Sequence, residues 1–263
     1  MGDSHRSSLS MDPGPGPWSD WQGHALVVGC GGIGRALLQA LPGHAPGLTV
    51  WSAGRSPNGP PGPPGHPGAG GHLPLDLEDD DSLQRLAERI SELSPLRLVI
   101  CTAGLLHEGP LQPEKRLAQV QRAQLQRSFA VNAWGPLLLA QAVESGLPRH
   151  QPAHFASLSA RVGSIGDNRL GGWYAYRAAK AAQNQLLTTL ALEWRRRLPQ
   201  ACVTLLHPGT TATDLSAPFR GSVAPEKLFS PDRAASQLLA VLERQTPERS
   251  GSFLAWDGSA IPW

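Results

Sequence analysis

The chain is short of several residue types on which common functions depend. Its 263 residues include two tyrosines, Tyr174 and Tyr176, three lysines, Lys115, Lys180 and Lys227, and three cysteines, Cys30, Cys101 and Cys202. So small and odd a cysteine set, with no CxxC and no Cys/His cluster, excludes a disulfide framework and a zinc site of ordinary spacing. Each cysteine lies in or beside an apolar segment, where a thiol behaves as a small hydrophobe, and no metal site is expected. No apolar run reaches the roughly 18 residues of a membrane-spanning helix. The opening MGDSHRSSLS lacks the apolar core of a secretory signal, and Arg6 stands where the myristoylation pattern wants Ser or Thr. Neither sign of charge dominates: Lys plus Arg is 23, Asp plus Glu is 21, and the formal net charge is +2. A nucleic-acid binder needs a concentrated basic face, so that class is disfavoured. These absences imply a cytoplasmic protein with neither a membrane nor a nucleic acid as partner, and the length suits one domain with a substantial core.

What is present alternates. HALVVG (24–29), LTVWSAG (48–54), LPLDL (73–77), LRLVICTAG (96–104), AHFASLS (153–159), CVTLLHPG (202–209) and SFLAW (252–256) read as strands. Between them, helical periodicity runs through IGRALLQAL up to Pro42-Gly43, SLQRLAERISEL (82–93), a long stretch from about Pro113 toward Glu144, residues 173–198, and DRAASQLLAVLER (232–244). Strands that are almost wholly apolar, separated by helices, predict a doubly wound parallel α/β sheet covered on both faces. Two segments fall outside this pattern. Residues 1–22 are polar and rich in Gly and Pro and read as a disordered tail. Residues 57–71, PNGPPGPPGHPGAGG, are twelve parts in fifteen Pro or Gly, with Gly59, Gly62, Gly65, Gly68 and Gly71 at every third position. A collagen triple helix needs many more triplets and two partner chains, so this segment reads as a disordered insertion in a domain spanning 23–263.

Gly29-Cys30-Gly31-Gly32-Ile33-Gly34 holds G-x-G-x-x-G between the first strand and the first helix. Small residues there let the chain turn sharply and let a pyrophosphate approach backbone N–H groups at the positive end of the helix. An acidic residue after the second strand would bind a ribose diol, and a basic one would favour a 2′-phosphate. No Asp or Glu occurs between Ile33 and Asp76, and Arg55 follows Ser52-Ala53-Gly54, so NADP(H) is favoured over NAD(H). Tyr176 and Lys180 stand four apart on the most strongly predicted helix and share one face. Tyr174 has no such partner. A nearby ammonium stabilises a phenolate, which would fit Tyr176 to exchange a proton with a carbonyl receiving hydride.

Taken together, the strand–GxGxxG–helix opening, Tyr176-x-x-x-Lys180, the upstream Ser159, Asn132 in FAVNAWGP and the Pro208-Gly209 turn resemble a short-chain dehydrogenase/reductase over nearly all of residues 24–263. SLSARVGSIGDNRLGGWYAYRAAKAA, HPGTTATDLSAPF and the ending WDGSAIPW resemble its C-factor, carbonyl-reductase-like branch. The resemblance implies a single-domain Rossmann fold. It implies that Tyr176 is the general acid/base, and that Lys180 bonds the nicotinamide ribose and holds the tyrosine pKa down. Ser159 would bond the substrate carbonyl, with Ser157 and Ser164 as competitors, and Asn132 would hold a water leading from Lys180 to solvent. Gly29, Gly31, Gly32, Ile33, Gly34, Arg55, Asp76, Leu77, Ala103, Gly104, Pro208, Gly209 and Thr213 would line the cofactor. The chain departs from the family pattern in a glycine loop one residue shorter and in Cys101-Thr102-Ala103-Gly104 in place of NNAG.

Two functions compete on this reading. One is an NADP(H)-dependent oxidoreductase acting on a small-molecule carbonyl or alcohol. The other is a dinucleotide-binding signalling protein of C-factor type with little turnover. The four residues Asn132, Ser159, Tyr176 and Lys180 favour the enzyme, because a pure binding module need not keep a tyrosine–lysine pair. Residues 210–230, with Leu215, Phe219 and Phe229, and additions from Leu105, Trp173 and Arg220, are expected to form the substrate pocket. The resemblance also implies a homodimer or homotetramer.

Overall fold

The structure is a computed structural model that describes residues 16–63, 65–66 and 68–263. In chain order it runs β1 (Gly23–Val28), α1 (Gly32–His44), β2 (Leu48–Gly54), β3 (Ala69–Pro74), α2 (Asp80–Arg89), β4 (Leu96–Cys101), α3 (Arg122–Phe129), α4 (Gly135–Val143), β5 (Ala153–Leu158), α5 (Tyr174–Arg197), β6 (Ala201–His207), β7 (Thr210–Thr211), β8 (Leu228–Phe229), α6 (Pro231–Leu242) and β9 (Ser252–Ala255). Seven strands form one sheet in the order β3-β2-β1-β4-β5-β6-β9, and each neighbouring pair is parallel. The order reverses between β1 and β4, and in doubly wound sheets ligands bind at that crevice, beyond the carboxyl ends of the strands.

Alternation along the buried strands divides the core. Ala25, Val27, Val50, Leu98, Ile100 and Leu206 face α1 and α6, whose Leu37, Leu41, Leu238 and Leu242 meet them. Leu26, Val28, Val99, Phe155 and Val203 face the opposite layer, where Leu83 and Leu86 of α2, Leu139 and Val143 of α4, and Leu187 and Trp194 of α5 close the core. The expected doubly wound architecture is therefore observed. Both faces of the sheet are apolar because both are covered.

Three details differ from the sequence expectation. Of the tail expected over 1–22, residues 1–15 lie outside the described residues, but Trp18 and Trp21 are buried. Their rings pack at a tilt against His154 of β5, with centroids 5.5 and 5.4 Å away, and the Arg97 guanidinium lies 4.3 Å from the Trp21 ring. The two indoles seal the N-terminal end of the sheet, so composition alone misplaced the start of the fold.

In the Pro/Gly segment, Gly62 and Pro63 are buried. Val50 donates to Gly68 O at 2.8 Å and Gly62 to Gly70 O at 2.9 Å, and Ser52 Oγ bonds both Pro60 O and His72 Nδ1. The third strand consequently begins at Ala69 rather than Leu73. A Cβ on Gly70 would lie 2.7 Å from the Trp51 ring, so glycine admits the close passage of the strand beneath the indole. Finally, the helix expected from Pro113 starts only at Arg122. It is interrupted by a π-helical turn over Ala130–Trp134 before α4 continues it.

Candidate active site

The loop from β1 into α1 is shaped by steric limits. Gly29 has φ +96°, and a Cβ there would lie 2.7 Å from Thr102 Oγ1. A Cβ on Gly34 would lie 1.8 Å from Gly29 O, so the helix packs directly on the loop it leaves. Gly31, the N-cap, has nothing within 4 Å of its Cβ position, and α1 carries no side-chain cap and no acidic residue in its first turn. The unpaired N–H groups of α1 therefore face open space at the positive end of a helix dipole, which suits a diphosphate.

Thr102 stands where the family pattern has its second asparagine. Its hydroxyl donates to Val28 O at 3.1 Å and Gly29 O at 2.8 Å, tying the end of β4 to the glycine loop. Sequence reasoning missed this brace, and it also missed Arg35, whose Nε donates to Cys30 O at 3.0 Å and puts a cation beside the loop. The available signal was a basic residue directly after the third glycine of the motif.

Arg55 follows β2 and pairs with Glu108 at 3.4 Å, with both side chains largely in water. Glu108 is held in turn by Arg127 at 2.8 Å. Asp76 follows β3 and caps the turn to Glu78 N, while Leu77 is buried against Gly135. Gly104 and Ala103 follow β4; the Cβ position of Gly104 is 3.6 Å from Asn132 Oδ1 and from Leu215. Pro208 and Gly209 lead out of β6, with Gly209 at φ +75° against the Phe229 ring. Thr213 lies over the start of α1, its methyl 2.8 Å from the Cβ position of Gly32. The glycine loop, the strand ends and the 208–213 turn thus converge on the switch point.

Tyr176 and Lys180 lie on one face of α5, with Lys180 Nζ 5.8 Å from the Tyr176 ring centroid. Both are buried, at 9% and 2% exposure. Burial pushes the Tyr176 phenol well above its ordinary range and pulls Lys180 down to about 8. The resemblance implied that Lys180 lowers the tyrosine pKa, but in the structure desolvation dominates. The ammonium donates to Leu158 O at 2.8 Å and Gln183 Oε1 at 2.9 Å.

Asn132 lies within the π-turn and is fully buried. Its Oδ1 accepts from Leu105 N at 2.9 Å, and its Nδ2 donates to Leu105 O at 2.7 Å and Ser128 Oγ at 3.2 Å. With its amide committed to fixing the chain after β4, a water held at this residue would have to use its main-chain carbonyl. Ser159 Oγ donates to Asn184 Oδ1 at 2.6 Å rather than pointing to open space. Ser157 bonds Gln183 at 2.7 Å, and Ser164 Oγ accepts from Asp167 N. Gln183 and Asn184 were not anticipated; two amides in succession on the buried side of an amphipathic helix were the legible sign.

An aromatic cluster lies beside Tyr176. Trp173, held at φ +53° ahead of α5, lies 6.2 Å from the Tyr176 ring and 5.0 Å from Phe219, whose ring also meets His107 at 5.9 Å. Glu114 fixes Trp173 in place: its carbonyl accepts from Trp173 N and its carboxylate from Ala175 N at 3.2 Å. Of the expected pocket residues, Phe219 and Trp173 form this cluster, while Leu215 lies beside Gly104. Phe229 instead packs on Trp256 and Arg233, and Arg220 is bonded to Thr213 O and Ser216 Oγ, so neither lines it.

The fold, the glycine loop at the switch point and the tyrosine–lysine pair define an NAD(P)-dependent oxidoreductase of the doubly wound α/β class. Residues 23–223 match the short chain dehydrogenase family, and the chain belongs to that family. It is 33% identical over 192 residues to the 1-hydroxy-2-glutathionyl-2-methyl-3-butene dehydrogenase of Rhodococcus sp. (strain AD45), covering 72% of this chain and 78% of that one. It is 35% identical over 148 residues to the C-signal of Myxococcus xanthus, covering 56% and 83% of the two chains. Among solved structures, the NADPH-bound carbonyl reductase from chicken fatty liver matches with a TM-score of 0.79 at 24% identity, over 92% of this chain and 100% of that one, a likeness of fold. Among the described residues no helix is long and apolar enough to cross a membrane, and no group of three or more His, Cys, Asp or Glu is placed to hold a metal.

Proposed function

We propose that the protein is an NADP(H)-dependent reductase of small carbonyl compounds. The observation that carries this reading is the buried Tyr176–Lys180 pair beside the Trp173–Phe219 aromatic cluster, on a sheet whose first helix has an uncapped, glycine-lined N-terminus. The residues present fit a dinucleotide. The open Gly31 position and the start of α1 suit its diphosphate, Arg35 and Arg55 supply cations for a 2′-phosphate, and Asp76, Leu77, Ala103 and Gly104 border the adenosine side. Pro208, Gly209 and Thr213 border the nicotinamide side. When bound, the nicotinamide supplies or accepts hydride.

The chain's own residues handle the proton. Burial keeps Tyr176 a neutral phenol, the form that donates a proton to the oxygen of a carbonyl being reduced. Lys180 brings the positive charge that stabilises the phenolate left behind. Ser159 would contribute a hydrogen bond to the carbonyl only after releasing Asn184. Trp173, Phe219 and Leu215 supply apolar walls suited to a medium-sized apolar carbonyl compound.

The resemblance to C-signal keeps a second reading in view, a dinucleotide-binding signalling protein, because Ser159 and Lys180 are both turned to internal partners. Titration with NADPH and NADH, followed by nicotinamide absorbance in the presence of aldehydes, ketones and diketones, separates the two. Saturable NADPH binding with substrate-dependent oxidation supports the reductase; binding without oxidation across the panel supports the signalling protein.

A further inference from the structure

Beneath Lys180 runs a chain of buried polar groups to which the proton-transfer roles assign no task. Gln183, fully buried, lies one turn along α5 from Lys180. Its Oε1 accepts from Lys180 Nζ at 2.9 Å, and its Nε2 donates to Ser157 Oγ at 2.7 Å and to Leu158 O at 3.3 Å. An ammonium can only donate, so the amide oxygen must face the lysine, and the orientation of the Gln183 amide follows from chemistry. Ser157 of β5, the register partner of Cys101 in β4, accepts from Gln183. Donation therefore runs in one direction, from Lys180 through Gln183 to Ser157, and each link polarises the next. Leu158 O takes a second ammonium proton at 2.8 Å, which leaves one N–H of Lys180 for the site.

We propose that Gln183, braced by Ser157, is the positioning residue for Lys180: it sets the direction of the ammonium beside Tyr176 and maintains its charge where water is excluded. A buried ammonium without acceptors loses its proton, and two acceptors in fixed positions oppose that loss. The titratable groups that face Lys180 are few. Tyr176 does so from its own helix and Cys101 from β4. The α3 and π-turn segment, which packs on α5, buries Ser128 and Asn132, neither titratable, and Arg161 after β5 is paired with Asp167 at 2.9 Å. Cys101 acts on Lys180 in the same direction as Gln183, and every variant below keeps it, so a change in the lysine midpoint reports on Gln183. The consequence for turnover rests on the reductase reading above, whereas the consequence for the lysine does not.

The scarcity of lysine makes the test direct. Protein carrying 13Cε-lysine has three signals, from Lys115, Lys180 and Lys227, and Lys180→Arg identifies the one of interest. Wild-type Lys180 is expected to titrate near 8. Gln183→Met, of similar shape but without an acceptor, should lower that midpoint by about one pH unit, the size of a lost hydrogen bond to a charged group. Gln183→Glu should raise it, and Ser157→Ala should lower it by less. In turnover, the high-pH limb of kcat/KM should move with the lysine midpoint, down in Gln183→Met and up in Gln183→Glu. If Gln183→Met fails to fold, the opposite shift in Gln183→Glu and the small fall in Ser157→Ala decide. A Lys180 midpoint unmoved in all three variants overturns the proposal and leaves Gln183 a packing residue. A wild type that neither binds nor oxidises NADPH removes the reductase reading, while the lysine titration still reports on Gln183.

Discussion

Arg55 gives the sharpest quantitative test of cofactor choice. Its guanidinium is 62% exposed and pairs with Glu108 at 3.4 Å, itself 46% exposed. Such a surface pair contributes about 0.2–1 kcal/mol, so a phosphate can displace Glu108 at little cost. A charge-assisted bond from arginine to a 2′-phosphate is stronger, about 1.5–3 kcal/mol where desolvated; discounted for exposure, about 1–2 kcal/mol remains. Arg55→Ala should then weaken NADPH binding by about 5–30-fold and leave NADH, which has no 2′-phosphate, unchanged. Glu108→Gln frees the guanidinium and should tighten NADPH by up to about fivefold. The assay is nicotinamide fluorescence titration of each variant with both cofactors at 0.05 and 0.3 M salt. The Arg55 contribution should shrink at the higher salt, where the Debye length is shorter. Equal losses for NADPH and NADH in Arg55→Ala, or no gain in Glu108→Gln, would refute the assignment and pass the 2′-phosphate to Arg35.

Two further predictions concern the fold. Burial beneath Trp18 and Trp21 holds His154 down to about 4, so it is neutral when folded and titrates near 6.5 when unfolded. Between those values the unfolded chain binds more protons, so His154 erodes stability by up to about 3 kcal/mol as pH falls from 6.5 to 4 and has no effect above 7; His154→Phe should flatten thermal melts over that window. Trp18→Ala should cost about 3 kcal/mol and lower the melting temperature by several degrees, because the indole is almost wholly enclosed against His154 and Trp21. A variant melting with the wild type would mean that the segment before β1 is not docked.

The sheet order and the glycine loop were legible because they rest on local rules: apolar runs of strand length, helical periodicity, and glycines where a Cβ has no room. The β3 boundary was not, since Ala69-Gly70-Gly71 has no apolar pattern and becomes a strand only because β2 offers an open edge and Trp51 needs glycine beneath it. The Trp18–Trp21 seal was hidden for a related reason, as its partners, His154 and Arg97, are far away in sequence. At the site, Tyr176-x-x-x-Lys180 was readable from helical spacing. The directions taken by Ser159 and Asn132 were not, because each is decided by a partner on another element: Asn184 and Leu105.

The central claim is that Tyr176 delivers the proton in an NADPH-dependent carbonyl reduction. Tyr176→Phe removes one oxygen from a buried ring and leaves the glycine loop, Arg55 and Lys180 in place. Single-turnover oxidation of bound NADPH, measured with the best substrate from the carbonyl panel, should fall by at least about 100-fold in Tyr176→Phe, the contribution of a positioned general acid, with the Kd for NADPH within about twofold of the wild type. An oxidation rate equal to that of the wild type at unchanged NADPH affinity would contradict the account.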